Sequence, residues 1–124
     1  MWDWTLDGGP ATHVAVPDDV TAEVIARVDQ PPGTFRLDPY RDVWHPASAV
    51  GPLRDSLRRA VVTREAELRA RTLAALHLAD VAPWAMEAIR VSEERDSILT
   101  ALRELMALCE LAVQEGLGVR VYGD

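Results

Sequence analysis

The stretch WAMEAIRVSEERDSILTALRELMALCELA, residues 84–112, decides the fold of this chain. Its apolar positions recur in alternating steps of four and three residues, the heptad spacing of a helix with one buried stripe. The positions of this stripe are Trp84, Ala88, Val91, Arg95, Ile98, Leu102, Leu105, Cys109 and Ala112. Gly116 follows where a left-handed residue would end the helix. The sequence therefore predicts helical structure over residues 83–115, either as one helix or as two.

A second helical segment precedes this stretch. Pro52 is typical of the first turn of a helix, and an imperfect apolar stripe runs from Leu53 toward Leu76. Residues 77–82, just before Pro83, predict a break in the helical pattern. We therefore expect a long antiparallel helical hairpin.

The N-terminal part has the pattern of short strands. Trp2 and Trp4 alternate with polar residues, residues 7–10 form a turn signal, and a hairpin is predicted over residues 2–16. Trp2, Trp4 and Trp84 all lie on apolar stripes, so we expect them in the core.

The connection between the predicted hairpin and the long helices is mixed. A short helix is expected from Asp18, residues 30–33 end it, and residues 34–37 suggest a strand before an irregular stretch over residues 38–51. The alternation at residues 119–121 predicts a last strand that pairs with the N-terminal hairpin. The expected fold is a single α+β domain over residues 1–124, in which helices dominate.

The composition indicates a folded acidic protein. The 124 residues carry 20 acids and 13 bases, a formal net charge of −7, and every base is arginine. Residues 52–80 are net basic, whereas the segments on either side are acidic. No apolar run approaches the ~18 residues of a membrane span, and a signal-peptide pattern is missing. We therefore expect a cytoplasmic protein that binds no membrane, and its charge disfavours nucleic acid as a partner.

The chain shows no sequence motif for catalysis or metal binding. His13, His45 and His77 are isolated from one another, and no pair has the spacing of metal ligands. Cys109 lies on the heptad stripe, so we expect a buried and unreactive thiol. The sequence predicts no metal, no cofactor and no enzymatic activity.

Arg64 and Arg95 interrupt the apolar stripes of the two predicted helices. They lie sixteen and fifteen residues from a turn at residue 80, so in a hairpin they would meet at one level. Such a polar layer needs carboxylates, because an unpaired buried charge costs several kcal/mol. The carboxylates close in sequence are Glu65, Glu67, Glu94 and Asp96. Alternatively, a new helix starts at Ser92 and Arg95 extends to water.

The segment DPYRDVWHP, residues 38–46, combines aromatic and charged residues with two prolines. Tyrosine and tryptophan are enriched at binding hot spots, and a proline-stiffened loop loses less entropy on binding. The candidate protein-binding residues are Asp38, Tyr40, Asp42, Trp44 and His45. Alternatively, Tyr40 and Trp44 fold back as a lid over the core.

The C-terminal stretch LRELMALCELAVQEGLGVRVYGD, residues 102–124, joins an amphipathic helix, a glycine, a short strand and a Gly-Asp ending. This arrangement resembles the C-terminal parts of small bacterial immunity proteins, which neutralise toxins exchanged between competing bacteria. The resemblance implies a small, cytosolic, non-catalytic inhibitor, and it assigns no toxin-contacting residues.

Three functions remain open from the sequence. The first is an acidic, non-catalytic protein-binding domain of the immunity type, with a basic, toxin-like protein as its partner. The second is a helical structural or regulatory protein that forms a homodimer through residues 84–112. The third is an enzyme or small-ligand-binding protein whose site is assembled from scattered residues.

Overall fold

The computed structural model describes residues 1–8, 12–29, 36–80 and 82–123. Its elements in chain order are β1 (Trp2–Asp7), β2 (His13–Val16), α1 (Asp18–Arg27), β3 (Val43–His45), α2 (Ala47–Ala75), α3 (Ala85–Arg95), α4 (Ser97–Glu115) and β4 (Gly118–Tyr122). The strands form one antiparallel sheet in the order β2-β1-β4-β3. The fold is α+β with helices dominant, as the sequence predicts.

The two terminal parts of the chain meet in the middle of the sheet. β1 pairs with β2 in the predicted hairpin, and it also pairs with β4, so that Trp4 lies opposite Val14 on one side and Val121 on the other. Trp2 and Trp4 are buried, because alternate residues of β1 face the helices. The predicted pairing of the last strand with the N-terminal hairpin is confirmed.

The core lies between one face of the sheet and the helices α1, α2 and α4. The buried residues of α4 are Leu99, Ala101, Leu102, Leu105, Leu108, Cys109 and Ala112. The chain itself covers the second half of the heptad stripe, so this half offers no surface to a second copy. A homodimer through residues 84–112, an alternative that the sequence leaves open, would therefore have to use the first half of the stripe. At the start of the stripe, Trp84 is 63% exposed, and its predicted place in the core is wrong.

Residues 83–115 form two helices. The break lies at Asp96, where an extended backbone separates α3 from α4, and not at Ser92. The Asp96 side chain accepts a hydrogen bond from the Leu99 N–H at 2.8 Å, which caps the start of α4. Gly116 ends α4 at φ 68°, in the left-handed conformation that its position predicts.

The stretch of residues 38–51 is more regular than its sequence suggests. Residues 43–45 form β3, and α2 begins at Ala47 instead of Pro52. Pro46, which precedes α2, both ends the strand and starts the helix. Pro52 lies inside α2 and has no N–H to donate to the carbonyl of Ser48, four residues before it. Both residues are exposed, so water can bind that carbonyl instead.

Three expectations fall wholly or partly outside the described residues. They concern the turn at residues 7–10, the helix end at residues 30–33 and the strand at residues 34–37, of which residues 36 and 37 are described and are not in a strand. Within the described ranges, no helix has the length and apolar character needed to cross a membrane.

Candidate functional site

The short strand β3 presents Trp44 on the open face of the sheet. Val43 and His45 point toward the helices, whereas Trp44 between them is 47% exposed. The residue opposite Trp44 on β4 is Arg120, which on its other side lies opposite Thr5 of β1. Period-two alternation thus brings an aromatic and a cationic side chain together on the face that the helices leave uncovered.

Asp7, at the end of β1, holds both of these side chains. The Trp44 indole Nε1 donates to Asp7 Oδ2 at 2.9 Å, and Arg120 Nε donates to Asp7 Oδ1 at 2.8 Å. The hydrogen bond from Arg120 is the main reason that the pKa of Asp7 lies below its usual value. One carboxylate therefore orients an exposed indole and an exposed guanidinium.

Glycine allows β3 to lie this close to β4. A Cβ atom at Gly118 would lie 2.6 Å from the carbonyl oxygen of His45 and 3.1 Å from the indole Nε1 of Trp44. No larger residue fits there without moving the backbone of β3. Arg120 and Tyr122 are two positions apart on β4 and therefore lie on the same face of the sheet. Tyr122 is 41% exposed.

The loop before β3 is fixed by its own aspartates. The Tyr40 N–H donates to Asp38 Oδ1 at 2.8 Å, and the Gly123 N–H donates to Asp42 Oδ1 at 3.2 Å. A Cβ atom at Gly123 would lie 2.3 Å from the backbone nitrogen of Arg41. The end of the described chain therefore packs directly beneath this loop.

These contacts define one continuous area, which we call the β3 surface. Its residues are Asp7, Asp38, Tyr40, Asp42, Trp44, Arg120 and Tyr122. A groove of about 850 Å³, lined by residues 36–44 and Ile25, runs along one side of it. Tyr40 is 77% exposed, so neither Tyr40 nor Trp44 forms a lid over the core, and that interpretation of the segment is wrong.

His45 does not belong to the β3 surface, in contrast to its predicted role in binding. It is fully buried, because it occupies the strand position that faces the helices. Its ring stacks on Trp4 with the centroids 6.4 Å apart and the planes at 22°. Burial lowers the pKa of His45 below the ordinary value of histidine.

The residues that sequence reasoning missed are Asp7, Arg120 and Tyr122. The alternation in residues 2–7 does place Asp7 on the polar side of a strand. Its proximity to Trp44 depends on the order β1-β4-β3, which contains a strand that the sequence does not predict. The signal for these residues is therefore present only after the pairing of the strands is known.

The predicted polar layer exists around Arg64 but does not include Arg95. Arg64 is 5% exposed, and it donates to Asp96 twice, from Nη2 to Oδ1 at 2.7 Å and from Nε to Oδ2 at 2.9 Å. Its Nη1 also donates to Glu67 Oε2 at 3.0 Å. Arg95 is exposed at the end of α3. The helix ends at Arg95 and turns there, so it is Asp96 that faces α2.

Arg27 of α1 is the second arginine of this layer. Its Nη1 and Nη2 lie 3.0 and 2.9 Å from the two carboxylate oxygens of Glu67. The hydrogen bond from Arg64 is the largest cause that lowers the pKa of Asp96, and the bond from Arg27 is the largest for Glu67. The layer thus joins α1, α2 and the start of α4, and it has a structural role.

The remaining candidates are accounted for within the fold. Arg58 donates to Glu110 at 3.2 Å, and Arg54 to Asp55 at 3.1 Å, so part of the arginine-rich face of α2 is neutralised by the chain itself. Cys109 is buried, and burial raises the pKa of its thiol to about 12. Within the described ranges, no cluster of His, Cys, Asp and Glu side chains is arranged to hold a metal ion.

Comparison with protein-family models, with curated proteins and with solved structures gives no match for this chain.

Proposed function

We propose that this chain is a non-catalytic protein-binding domain that recognises a basic protein through the β3 surface, as an immunity-type inhibitor does with its toxin. The observation that carries this proposal is the set of exposed aromatic side chains held in place by aspartates. Trp44 is fixed by Asp7, and the loop that bears Tyr40 is fixed by Asp38 and Asp42.

Pre-ordered aromatic residues suit a binding surface for a physical reason. An exposed tryptophan buries a large area when a partner covers it, and tryptophan and tyrosine dominate interface hot spots. The hydrogen bond from Trp44 to Asp7 has already restricted the indole, so less conformational entropy is lost on binding. Tyr40 and Tyr122 extend the aromatic area on either side.

The charges favour a basic partner. The whole chain has a net charge of −7. The β3 surface and the groove beside it carry Asp7, Asp38 and Asp42 against Arg36, Arg41 and Arg120, so it is the net charge of the chain that favours such a partner. Opposite net charges accelerate the encounter of two proteins, and added salt weakens this steering. We propose further that the domain acts in the cytoplasm, where a single buried cysteine without a disulfide is usual.

The proposal is tested by purification of the tagged chain from its native host. We expect a stoichiometric basic protein that binds the purified chain again in a one-to-one complex, with an association rate that falls as salt is added. The double variant Tyr40→Ala with Trp44→Ala should lose at least a hundredfold in affinity, since each hot-spot aromatic contributes about 2 kcal/mol or more.

Trp84→Ala is the matched control, because Trp84 is equally a tryptophan, is 63% exposed and lies outside the β3 surface. It should bind like the unaltered chain. The absence of any stoichiometric protein partner, or an equal loss of affinity in the control, would overturn the proposal.

A further inference from the structure

The buried histidine of β3 has no hydrogen-bond partner. His45 has no measurable exposure, and within the described residues neither Nδ1 nor Nε2 is bonded to any protein group. Buried polar atoms are nearly always paired, so two unpaired nitrogens on one ring require a physical explanation. Burial at this position costs much less free energy for a neutral imidazole than for an imidazolium, which carries a charge and two N–H donors.

The groups around His45 would not stabilise its cationic form. Among the described residues, the buried indole N–H of Trp4, whose ring stacks on His45, has no acceptor, and an indole N–H is only a donor. His45 lies one residue before Pro46, which precedes α2, and the start of a helix carries partial positive charge. The first titratable side chain of α2 is Arg54, itself a cation.

Charged groups on the other neighbouring strands lie on the opposite face of the sheet. On β1 these are Asp3 and Asp7, and on β4 the charged residue is Arg120, all at positions that alternate with the buried ones. Accordingly, burial is the only cause that lowers the pKa of His45. A proton on this ring therefore favours any conformation in which the ring reaches water.

The cheapest such conformation is the release of β3. The strand has three residues, and among the described residues it lies at the edge of the sheet with β4 as its one partner. The neighbouring residue Trp44 contacts Asp7 from the outer face of the same strand. Movement of His45 into water consequently withdraws Trp44 from its place in the β3 surface.

We propose that His45 is a pH-dependent latch, which holds the β3 surface in its binding conformation while the ring is neutral and releases β3 when the ring is protonated. Its effect on a partner rests on the proposed function, whereas the release itself is a property of the chain alone. The form in which β3 is paired with β4 loses stability as the pH falls through about 6.5, the ordinary pKa of an exposed histidine. The loss is complete below the pKa of the buried His45, which is lower.

The test is amide hydrogen exchange of β3 in the full chain between pH 7.5 and 5, corrected for the intrinsic exchange rates. One proton is linked to opening, so protection of the β3 amides should fall by up to about tenfold per pH unit, while protection of α4 stays unchanged. In His45→Phe, which keeps an aromatic ring on Trp4, protection of β3 should be constant. His13→Gln and His77→Gln, at exposed histidines, should respond like the unaltered chain.

The latch is refuted if His45→Phe retains the pH response or if β3 of the unaltered chain stays protected to pH 5. Nitrogen NMR shifts of the His45 ring in the unaltered chain give a test that does not depend on a variant. Protonation of the ring in a chain whose β3 remains protected would also refute the latch. Release of β3 by acid with no change in the affinity of an identified partner would instead contradict the proposed function.

Discussion

Removal of one partner from the buried ion pair between Arg64 and Asp96 should cost the fold a large part of its stability, because the other charge is left buried. Asp96→Ser removes both oxygens that bind Arg64, but serine can still cap the start of α4. Within the described parts of the chain, Arg64, which is 5% exposed, then keeps Glu67 as its one carboxylate partner. Loss of one partner from a buried ion pair costs about 3–5 kcal/mol, and we expect about 3 kcal/mol here because the Asp96 side chain is 14% exposed.

Urea unfolding at pH 7, followed by circular dichroism, measures this loss. With a denaturant dependence of about 1–3 kcal/mol per molar urea, the midpoint should fall by about 1–3 M. The matched control is Arg95→Ser, one residue away but exposed, which should change the free energy of unfolding by less than about 0.5 kcal/mol.

A second variant separates the ion pair from other effects of the substitution. When Arg64→Met is combined with Asp96→Ser, the buried guanidinium is removed as well, so part of the lost stability should return. If Asp96→Ser is no more destabilising than Arg95→Ser, or if the double variant is simply additive, then Arg64 and Asp96 do not act as a buried pair.

Two further predictions concern close packing. Gly118→Ala places a Cβ atom against the His45 carbonyl, so it should abolish the protection of the β3 amides from hydrogen exchange. In the control Gly51→Ala, the added Cβ meets open space, so the β3 amides should stay protected. Intact β3 protection in Gly118→Ala would show that the strand can shift without loss of stability. Because burial raises the pKa of Cys109 to about 12, its thiol should react with a disulfide reagent at pH 7.5 only as fast as the chain unfolds, and rapid labelling of the folded chain would contradict its burial.

Long elements with a strong period could be predicted from the sequence. Two patterns reflect burial of one face of an element: the alternation of Trp2 and Trp4 in β1, and the apolar stripe of α4 that ends at Ala112. The same stripe misplaced Trp84, because regular spacing cannot show where the neighbouring helix stops covering it. Arg95 lies outside the polar layer although it continues the heptad spacing, because α3 ends there and the extended backbone at Asp96 interrupts the helix.

The candidate site is less predictable because it arises from pairing between distant parts of the chain. Tyr40 and Trp44 stand out by composition, but Asp7 and Arg120, which lie 113 residues apart, meet Trp44 only because β3 pairs with the outer edge of β4. A strand of three residues has too short a pattern to be distinguished from a loop. The same brevity gives β3 its physical role, since a strand held by one neighbour and one buried imidazole can be displaced by a single proton. The residue that sequence reasoning placed in the binding surface, His45, thus lies beneath that surface and is positioned to control it.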